Sequence, residues 1–468
     1  MAGNQKTRKR SNKLVLIEGA LVALATYLTA LSFSWLGLDY ALNIKSTLFT
    51  CFMFSVSVLL INLSVGLYEQ RLREPFRGII RRLFVSVVVS FFVVVAITSL
   101  IVPEFASHPL HAPTSVAIIL FTLVIFRYFV HHTESISSRP NLIVLGSGVR
   151  ASVIETRMRR TVDRANFNLI GFVPLPGDQR DNGIKQEQII DLDVDAQLQD
   201  YLANEDISEI VVANDQRRGT LPVNILFDAR LKGVRVTELL DFLERETGQI
   251  AVDLMYPSWV IYSNGFHSQK IVRQVMDYWL NIGLAFLVLS LTWPIMLITA
   301  LIIYLDDGYR TGVSVLYKQQ RVGKDGKLFN ILKFRSMRPD AEKDGAKWAS
   351  KNDNRVTTIG ALIRKYRVDE LPQLLNVLRG DMSFIGPRPE RPEFVEQLVE
   401  EVPYYAQRHN VKPGLAGWAQ LNYPYGASVK DSLEKLKFDL YYVKHQSLLL
   451  DILILVRTVE VVLFGKGR

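Results

Sequence analysis

With 468 residues, the chain is long enough for two or three domains. Hydrophobic residues make up 49% of it and its mean hydropathy is positive, which is unusual for a soluble protein and indicates a membrane protein. The net charge of +9 would suit either nucleic acid or an anionic membrane surface, so the positions of the charges must decide. The single cysteine, Cys51, lies in an apolar run, which excludes a disulfide framework and a cysteine zinc cluster.

Residues 1–13 form a basic tail, which we expect to be cytoplasmic, ahead of a long apolar run without a clean cleavage site. We therefore expect an uncleaved anchor rather than a signal peptide. Residues 14–132 contain four apolar segments, each close to or above the roughly 20 residues that cross a bilayer as a helix. These segments are Leu14–Leu36, Ile44–Tyr68, Leu83–Val102 and Thr114–Val130. We predict a four-helix transmembrane bundle that serves as an anchor or for oligomerisation, without an obvious ionisable site inside the membrane.

Lysine and arginine are concentrated before the first span and between the second and third spans. The second of these clusters consists of Arg71, Arg73, Arg77, Arg81 and Arg82. The loop 103–113 has neither residue type, and the loop around Asp39 has only Lys45 nearby. By the positive-inside rule, both ends of the bundle lie in the cytoplasm. We expect a bilayer partner and no nucleic acid.

Residues 140–256 predict a Rossmann-like domain with a parallel sheet. Strands are expected at Asn141–Leu145, Phe167–Val173, Ile207–Ala213 and Val234–Thr237. The turn Gly146–Ala151 has the glycine spacing of a dinucleotide site, but no acid closes the second strand before Asp178. A single turn of this kind is a weak signal, and we favour close helix–strand packing over a nucleotide site by about two to one.

Residues 257–275 predict a linker and an entry into the membrane interface, and residues 276–305 a further apolar helix interrupted by Pro294. The segment after it is rich in Lys and Arg, which opposes export. We therefore predict a re-entrant membrane helix, kinked at Pro294, that enters one leaflet and returns. Thr292 is the nearest candidate to satisfy a carbonyl freed by the kink. A conventional fifth span is the alternative.

The segment Arg355–Glu390 combines an amphipathic helical pattern with an adjacent acid pair, Asp369 and Glu370. Pro372 predicts a helix break at Val368–Leu371 and a restart at the proline itself. The pair would then lie at a helix start, where the dipole favours ionised carboxylates and lowers their pKa. Gly380 should end the second helix. The following Gly-Pro-Arg-Pro loop restricts the directions open to Arg388.

Residues 306–468 predict a small, mostly helical catalytic domain. It includes two strands, Tyr317–Gly323 and Phe329–Met337, joined by a Lys-Asp-Gly turn. Lys333 and Arg335 would share one strand face, where two cations suit a diphosphate, although a solvated face is the alternative. Trp418 could stack on a base, lie at the membrane interface or simply pack in the core. The last helix, from Leu448, carries charges and should pack or lie at the interface rather than span.

Several stretches of the C-terminal half resemble the bacterial sugar transferase family, the monotopic polyprenyl-phosphate phosphoglycosyl transferases. They are YKQQRVG, FNILKFRSM, RVDELPQLLNVLRGDMSFIGPRPE, VKPGLAGWAQ and the closing FDLYYVK. The order of spans, Rossmann-like domain and catalytic domain resembles the long members that start exopolysaccharide or O-antigen units. The family often has Ser-Pro at the membrane bend, where this chain has Trp293–Pro294.

This resemblance implies transfer of a phosphosugar from a UDP-sugar to undecaprenyl phosphate at the bacterial inner membrane, with the catalytic domain on the cytoplasmic face. Asp369 would be the nucleophile, Glu370 would support a Mg²⁺ or Mn²⁺ ion, and both would contact that metal. A phosphosugar–aspartyl intermediate would form and UMP would leave. The resemblance also implies a homodimer. The candidate substrate-binding residues are Lys333, Arg335, Arg388, Glu390, Arg321, Trp418 and Gln420.

Two other functions compete with this one. A membrane-anchored NAD-dependent nucleotide-sugar epimerase or dehydratase could share the spans and the first sheet domain. It would need a second dinucleotide fold with a Tyr-x-x-x-Lys pair, which the chain lacks. A non-catalytic scaffold for polysaccharide assembly is opposed by the intact acid pair and the intact Gly-Pro-Arg-Pro loop.

Overall fold

The structure, a computed structural model, describes residues 2–35, 44–68, 76–101, 111–136, 139–158, 164, 167–179, 181–194, 196–215, 221–263, 265–266, 271–309, 312–341, 354–423, 426 and 428–464. The chain divides into two compact units, Met1–Thr247 and Gly248–Arg468. Several residues used above to orient the spans, including Asp39, Arg71 and Arg73, lie outside the described ranges.

The first unit begins with four long helices. They are α1 (Ala2–Trp35), α2 (Ile44–Ser64), α3 (Phe76–Ile101) and α4 (His111–Ile136). Both α1 and α3 pack on α2 and α4, around a core that includes Val58, Leu83 and Leu123. A four-helix bundle is therefore confirmed, and its first helix begins at Ala2, within the basic segment.

Four helices in the described part of the chain are long and apolar enough to cross a membrane. The apolar runs are Lys13–Trp35, Gly78–Val95, Pro113–Val130 and Ile271–Asp306. The second helix of the bundle contributes a shorter run, Thr47–Leu63. Many apolar side chains on these helices are exposed, as a lipid environment requires. The chain is a membrane protein.

A buried polar cluster inside the bundle corrects the expectation of spans without ionisable sites. Glu18 is fully buried and forms an ion pair with Arg127 and a hydrogen bond with the hydroxyl of Tyr68. Asn62 Nδ2 lies 3.3 Å from the same carboxylate. Because isolated charges in an apolar interior are costly, this pairing fixes how α1, α2 and α4 meet. The sequence interpretation failed because Glu18 and Arg127 are 109 positions apart and each alone looks like a span-end charge.

The rest of the first unit is a parallel sheet with helices. Its strands are β1 (Asn141–Leu145), β2 (Asn168–Val173), β3 (Ile207–Val212) and β4 (Arg235–Glu238), in the order β2-β1-β3-β4. The helices are α5 (Val149–Arg157), α6 (Leu198–Asn204), α7 (Val223–Leu231) and α8 (Leu239–Thr247), with a 3₁₀ turn at Gln186–Gln188. All neighbouring strands are parallel, which confirms the predicted sheet with each strand placed to within a residue.

The glycine turn before α5 is occupied by the protein's own carboxylates. Asp215 accepts hydrogen bonds from the N–H groups of Val149 and Arg150, both at 3.0 Å. Asp178 accepts one from Ser147 N–H at 2.9 Å. A Cβ at Gly148 would meet Asp215 Oδ2 at 1.8 Å, so glycine is needed here to admit that side chain. These contacts fit the packing interpretation of the turn, because a bound phosphate would have to displace Asp215.

The second unit consists of short helices, two small sheets and one long helix. The helices are α9 (Pro257–Tyr262), α10 (Ile271–Ile303), α11 (Thr358–Lys365), α12 (Leu374–Arg379), α13 (Pro392–Glu401), α14 (Trp418–Asn422), α15 (Val429–His445) and α16 (Leu448–Phe464). The strands are β5 (Leu316–Val322), β6 (Leu328–Phe334), β7 (Ser383–Ile385) and β8 (Gly414–Ala416). Tighter turns lie at Val252–Leu254, Lys324–Gly326, Val368–Gln373 and Tyr405–Asn410, and a wider one at Tyr304–Gly308.

The long helix α10 packs on this unit along most of its length. Near its start, Arg273 forms ion pairs with Asp277, at 3.0 Å, and with Asp451 of α16. Its middle contributes Ala285 to a core shared with β6 and α12, and its end contributes Ile303 to a second core. The contact of α16 with α10 agrees with the prediction that the last helix packs or lies at the interface.

Pro294 lies inside α10, which is continuous across it. The hydroxyl of Thr292 donates to the carbonyl of Val288 at 2.7 Å, not to that of Ser290, which the proline leaves without its usual donor. The prediction that Thr292 satisfies a carbonyl freed by the proline is therefore wrong. Its hydroxyl donates instead to the carbonyl four residues earlier in the helix. Re-entry into the membrane stays a prediction.

The occupied glycine turn leads to a stability prediction. We expect Asp215→Ala to destabilise the start of α5 by about 1 kcal/mol, because two backbone N–H groups lose their acceptor. Hydrogen–deuterium exchange of residues 147–157, measured on the full-length protein in detergent, should become faster. Asp228→Ala removes an exposed carboxylate from α7 and should leave that exchange unchanged. Equal exchange in the Asp215 variant and the wild type would contradict the assignment.

Candidate active site

The acid pair lies in a tight turn between two helices. Helix α11 ends at Lys365, Arg367 adopts a left-handed conformation with φ of 55°, and a 3₁₀ turn follows at Val368–Gln373. The predicted break is confirmed, but the α-helix resumes at Leu374 rather than at Pro372. Pro372 lies inside the 3₁₀ turn, where the lack of a backbone N–H donor costs little free energy. Gly380, with φ of 84°, ends α12 as predicted.

Glu370 is held between two cations that come from different parts of the domain. Arg388 Nη2 donates to Glu370 Oε1 at 2.6 Å, and Lys333 Nζ lies 3.2 Å from the same oxygen. The side chains of Glu370 and Lys333 are 17% and 20% exposed. Three of the sequence-predicted site residues therefore meet at one carboxylate oxygen.

The two neighbouring acids have pKa values shifted in opposite directions. Burial would raise the pKa of Glu370, but the charges of Arg388 and Lys333 outweigh it and hold that pKa well below its usual range. Burial raises the pKa of Asp369, and the adjacent Glu370 charge raises it further, against the charges of Lys333, Arg364 and Arg388. The expectation of a lowered pKa is thus confirmed for Glu370 and wrong for Asp369, where burial dominates over the helix-start effect.

Asp369 has a different environment from its neighbour. It is 8% exposed, and among the described residues none donates a hydrogen bond to its carboxylate. Glu370 is engaged by two cations, whereas Asp369 keeps its oxygens available. A carboxylate with a raised pKa and unengaged oxygens is suited to act as a nucleophile.

The acid pair also fits a divalent ion bound together with a substrate. Mg²⁺ is usually held by one or two carboxylates plus substrate phosphates, and hard carboxylate oxygens are its preferred ligands. In the described ranges no group of three or more His, Cys, Asp or Glu residues could hold a metal. Asp369 and Glu370 therefore suit a metal whose remaining ligands come from phosphate and water.

Lys333 is positioned by a buried asparagine. Asn376 is fully buried on α12, and its Oδ1 accepts from Leu332 N–H at 3.0 Å. Its Nδ2 donates to the carbonyl of Asn330 at 2.8 Å and to Asp381 at 3.2 Å. This one side chain joins β6 to α12, so the strand that carries Lys333 cannot slide past the turn that carries Glu370.

Arg388 is positioned by two other arginines acting on its loop. Arg408 is 5% exposed, and its Nη2 donates to the carbonyl of Arg388 at 2.9 Å and pairs with buried Asp439 at 2.8 Å. Arg321 Nη1 donates to the carbonyl of Pro389 at 3.1 Å. The loop that was predicted to restrict Arg388 through its prolines is therefore also held by hydrogen bonds.

The other predicted substrate-binding residues have their own contacts. Arg321 and Glu390 form an ion pair at 3.7 Å beside the Arg388 loop. Arg335 follows the end of β6, is 9% exposed and donates to the carbonyl of Val313 at 3.0 Å. Their binding roles stay predictions.

Trp418 and Gln420 lie on α14. The indole N–H of Trp418 donates to the carbonyl of Gly248 at 2.8 Å, and its ring stacks on Tyr441. This placement corresponds to the core-packing alternative. Gln420 is half-buried, and its Oε1 has no hydrogen-bond partner among the described residues.

The sequence interpretation missed Asn376 and Arg408. An asparagine among the leucines of LPQLLNVL was a usable signal, because a polar side chain on an apolar helix face needs a buried partner. Arg408 gave no comparable signal, since its partner Asp439 is 31 positions away and the segment between contains the turn-rich VKPGLAGWAQ loop.

Residues 269–465, which include every residue of this site, match the family model described as bacterial sugar transferase. The chain is 40% identical over 237 residues to the UDP-N-acetylgalactosamine-undecaprenyl-phosphate N-acetylgalactosaminephosphotransferase of Aeromonas hydrophila, covering 51% of this chain and 54% of that protein. It is 31% identical over 378 residues to the undecaprenyl-phosphate glucose phosphotransferase of Komagataeibacter xylinus, covering 76% of this chain and 65% of that protein.

These two alignments each span less than two thirds of the relative's own length. A third relative, the exopolysaccharide production protein PSS of Rhizobium leguminosarum bv. phaseoli, is matched over 98% of its length at 41% identity, and this covers 42% of the present chain. Because the family model matches the part of the chain that carries the acid pair, and a relative at 41% identity is matched over nearly its whole length, the chain belongs to the bacterial sugar transferase family.

Proposed function

We propose that this protein transfers a sugar 1-phosphate from a UDP-sugar to undecaprenyl phosphate and releases UMP, as the first membrane step of exopolysaccharide or related glycan assembly. The names of two relatives describe transfer to undecaprenyl phosphate, of N-acetylgalactosamine phosphate in one case and of glucose phosphate in the other. Because these sugars differ, the proposal leaves the sugar open.

The observation that carries the proposal is the unequal environment of Asp369 and Glu370. Glu370 is fixed by Arg388 and Lys333, which keep it ionised. Asp369 is buried beside it with a raised pKa and with no hydrogen bond from the described residues. Glu370 holds the two cations in place, and Asp369 is available to attack a phosphorus atom.

The reaction then proceeds in two displacements at the same phosphorus. An oxygen of Asp369 attacks the phosphorus nearest the sugar, the bond to the bridging oxygen breaks, and UMP leaves with that oxygen and its electron pair. A phosphate oxygen of undecaprenyl phosphate next attacks the phosphosugar–aspartyl intermediate. The aspartyl oxygen–phosphorus bond breaks, which restores the Asp369 carboxylate and leaves the sugar on a lipid diphosphate.

Lys333 and Arg388 supply positive charge on the side of the acid pair where the diphosphate must bind. Arg388 is 37% exposed, so its guanidinium can contact a phosphate while it still touches Glu370. A Mg²⁺ or Mn²⁺ ion held by the acid pair and the substrate phosphates would neutralise the diphosphate and the departing UMP. Arg321 and Glu390 adjoin this region and are candidates to contact the nucleotide.

The packing of α10 supports a position of the site at the membrane surface. A helix of 33 residues is roughly 50 Å long, enough to cross a bilayer. However, α10 contacts the catalytic unit near both ends, while side chains such as Leu291, Leu297 and Leu301 are exposed and apolar. If such a helix crossed the bilayer, it would carry the charged domain that packs on it into the lipid, which is costly. This favours the re-entrant or in-plane arrangement.

The orientation of the protein is part of the same proposal. The basic segments around the spans favour a catalytic domain on the cytoplasmic face of the bacterial inner membrane, where nucleotide sugars are made. The homodimer implied by the family resemblance also belongs to the proposal.

Replacement of the nucleophile tests the reaction directly. We expect Asp369→Asn to lower UMP release and formation of labelled lipid product by about a thousandfold or more, because an amide cannot form the intermediate. The assay mixes UDP-sugar, Mg²⁺, undecaprenyl phosphate and the purified protein. Asp325→Asn makes the same change at an exposed turn position and should retain activity. Normal lipid product from the Asp369 variant would disprove the assignment.

The charge on Lys333 should set the pH dependence. Lys333 lowers the pKa of Asp369, so Lys333→Met should raise that pKa. Activity needs ionised Asp369 and is lost as pH falls through its pKa; the acid limb of kcat/KM should therefore move to higher pH. At the optimum we expect a loss of about a hundredfold, typical of removing one electrostatic stabiliser.

Lys327→Met, an exposed position on the same hairpin, is the control for the loss of a surface lysine. Its acid limb should coincide with that of the wild type. An acid limb that stays in place or moves to lower pH in Lys333→Met would show that Lys333 does not act on Asp369.

A further inference from the structure

Asn281, a polar residue of the long apolar helix α10, forms hydrogen bonds with β7, the strand that leads to Arg388. Asn281 Oδ1 accepts from the N–H of Phe384 at 2.6 Å and from the hydroxyl of Ser383 at 2.9 Å. Its Nδ2 donates to the carbonyl of Asp277, within the helix, at 2.6 Å. Both sides of the amide are therefore used, and the oxygen is directed entirely at β7.

Strand β7 has partners on its other side as well. Ser383 N–H donates to the carbonyl of Pro413 at 2.8 Å, and Gly386 N–H donates to that of Ala416 at 2.9 Å. The N–H of Phe384 points the opposite way and would have no acceptor there without Asn281. An asparagine on the helix thus completes the hydrogen bonding of a three-residue strand that has β8 on one side only.

The chain leads from this strand directly to the charged site. Gly386 and Pro387 follow Ile385, and Arg388 comes next, with its guanidinium 2.6 Å from Glu370. Pro387 and Pro389 make the loop stiff, so a shift of β7 is transmitted to Arg388 rather than absorbed. The membrane helix and the acid pair are joined by one hydrogen-bonded path.

We propose that Asn281 is a positioning residue, through which α10 fixes β7 and thereby the contact of Arg388 with Glu370. The proposal rests on the proposed function, because it assigns Asn281 an effect on the transfer step. A role only in membrane insertion does not explain the geometry. Leucine would insert at least as well, but it would leave Phe384 N–H without a partner.

The test compares four full-length variants in lipid nanodiscs: Asn281→Leu, Arg388→Ala, the double variant and Ser290→Ala. Ser290 is an exposed polar residue on the same helix, and its hydroxyl donates to the carbonyl of Leu287 within α10. Hydrogen–deuterium exchange of residues 381–390 should become faster in Asn281→Leu and stay at the wild-type rate in Ser290→Ala. This readout does not require activity.

UMP release gives the second readout. We expect Asn281→Leu to lower kcat by roughly tenfold or more with a smaller change in KM, as for a misplaced catalytic contact. In the Arg388→Ala background the same change should lower kcat by less than about twofold, because the contact it positions is already gone. Ser383→Ala removes one of the two donors to Asn281 and should cause a smaller loss in the same direction, even if Asn281→Leu fails to fold.

The outcomes separate the two proposals. Unchanged exchange of residues 381–390 in Asn281→Leu would overturn the positioning role, and so would losses in kcat that multiply in the double variant. If the wild type releases no UMP from any UDP-sugar, the proposed function fails, and the exchange data alone decide whether Asn281 holds β7.

Discussion

A partly buried carboxylate between two cations is the constraint on which the catalytic unit depends. Glu370 would be costly to bury as an isolated charge, and it is tolerated because Arg388 and Lys333 reach the same oxygen. Those cations come from β6 and from the loop after β7, so three separate segments must converge on the turn Val368–Gln373. If any one of them moved, a charge would be left unpaired. Much of the surrounding structure acts to prevent such movement.

Two asparagines and two arginines carry out that positioning. Asn376 ties β6 to α12, and Asn281 ties β7 to α10. Amides suit this task because one oxygen can accept from a strand while the nitrogen donates elsewhere, at no cost in net charge. The arginines act on carbonyls of the Pro-Arg-Pro loop, and the buried charge of Arg408 is balanced by Asp439. The polar interior of this unit therefore mainly fixes the positions of its active groups.

Local sequence patterns were sufficient to predict the helices and strands, but they did not predict the environment of each charged side chain. The parallel strands, the hairpin and the break before Pro372 follow from short-range signals, and each was placed to within a few residues. The second strand of the hairpin ends at Phe334 instead of Met337. The pKa of Asp369 was predicted in the wrong direction, since burial by distant segments cannot be read from a helix start. Glu18 and Arg127 escaped notice for the same reason, because their pairing exists only once α1 and α4 pack together.

The two acids illustrate how adjacent residues of one type acquire different chemistry. Asp369 is buried and Glu370 is partly buried, and the charges of Lys333 and Arg388 act on both. Glu370 takes the direct contacts, so its charge is neutralised locally and its pKa falls. Asp369 receives the same cations at longer range together with the negative charge of Glu370, so burial prevails and its pKa rises. A carboxylate that is ionised yet more basic than usual is a better nucleophile toward phosphorus. The two acids thus differ because burial dominates at Asp369 while Arg388 and Lys333 contact Glu370 directly, and α10 is hydrogen-bonded to the strand that leads to that arginine.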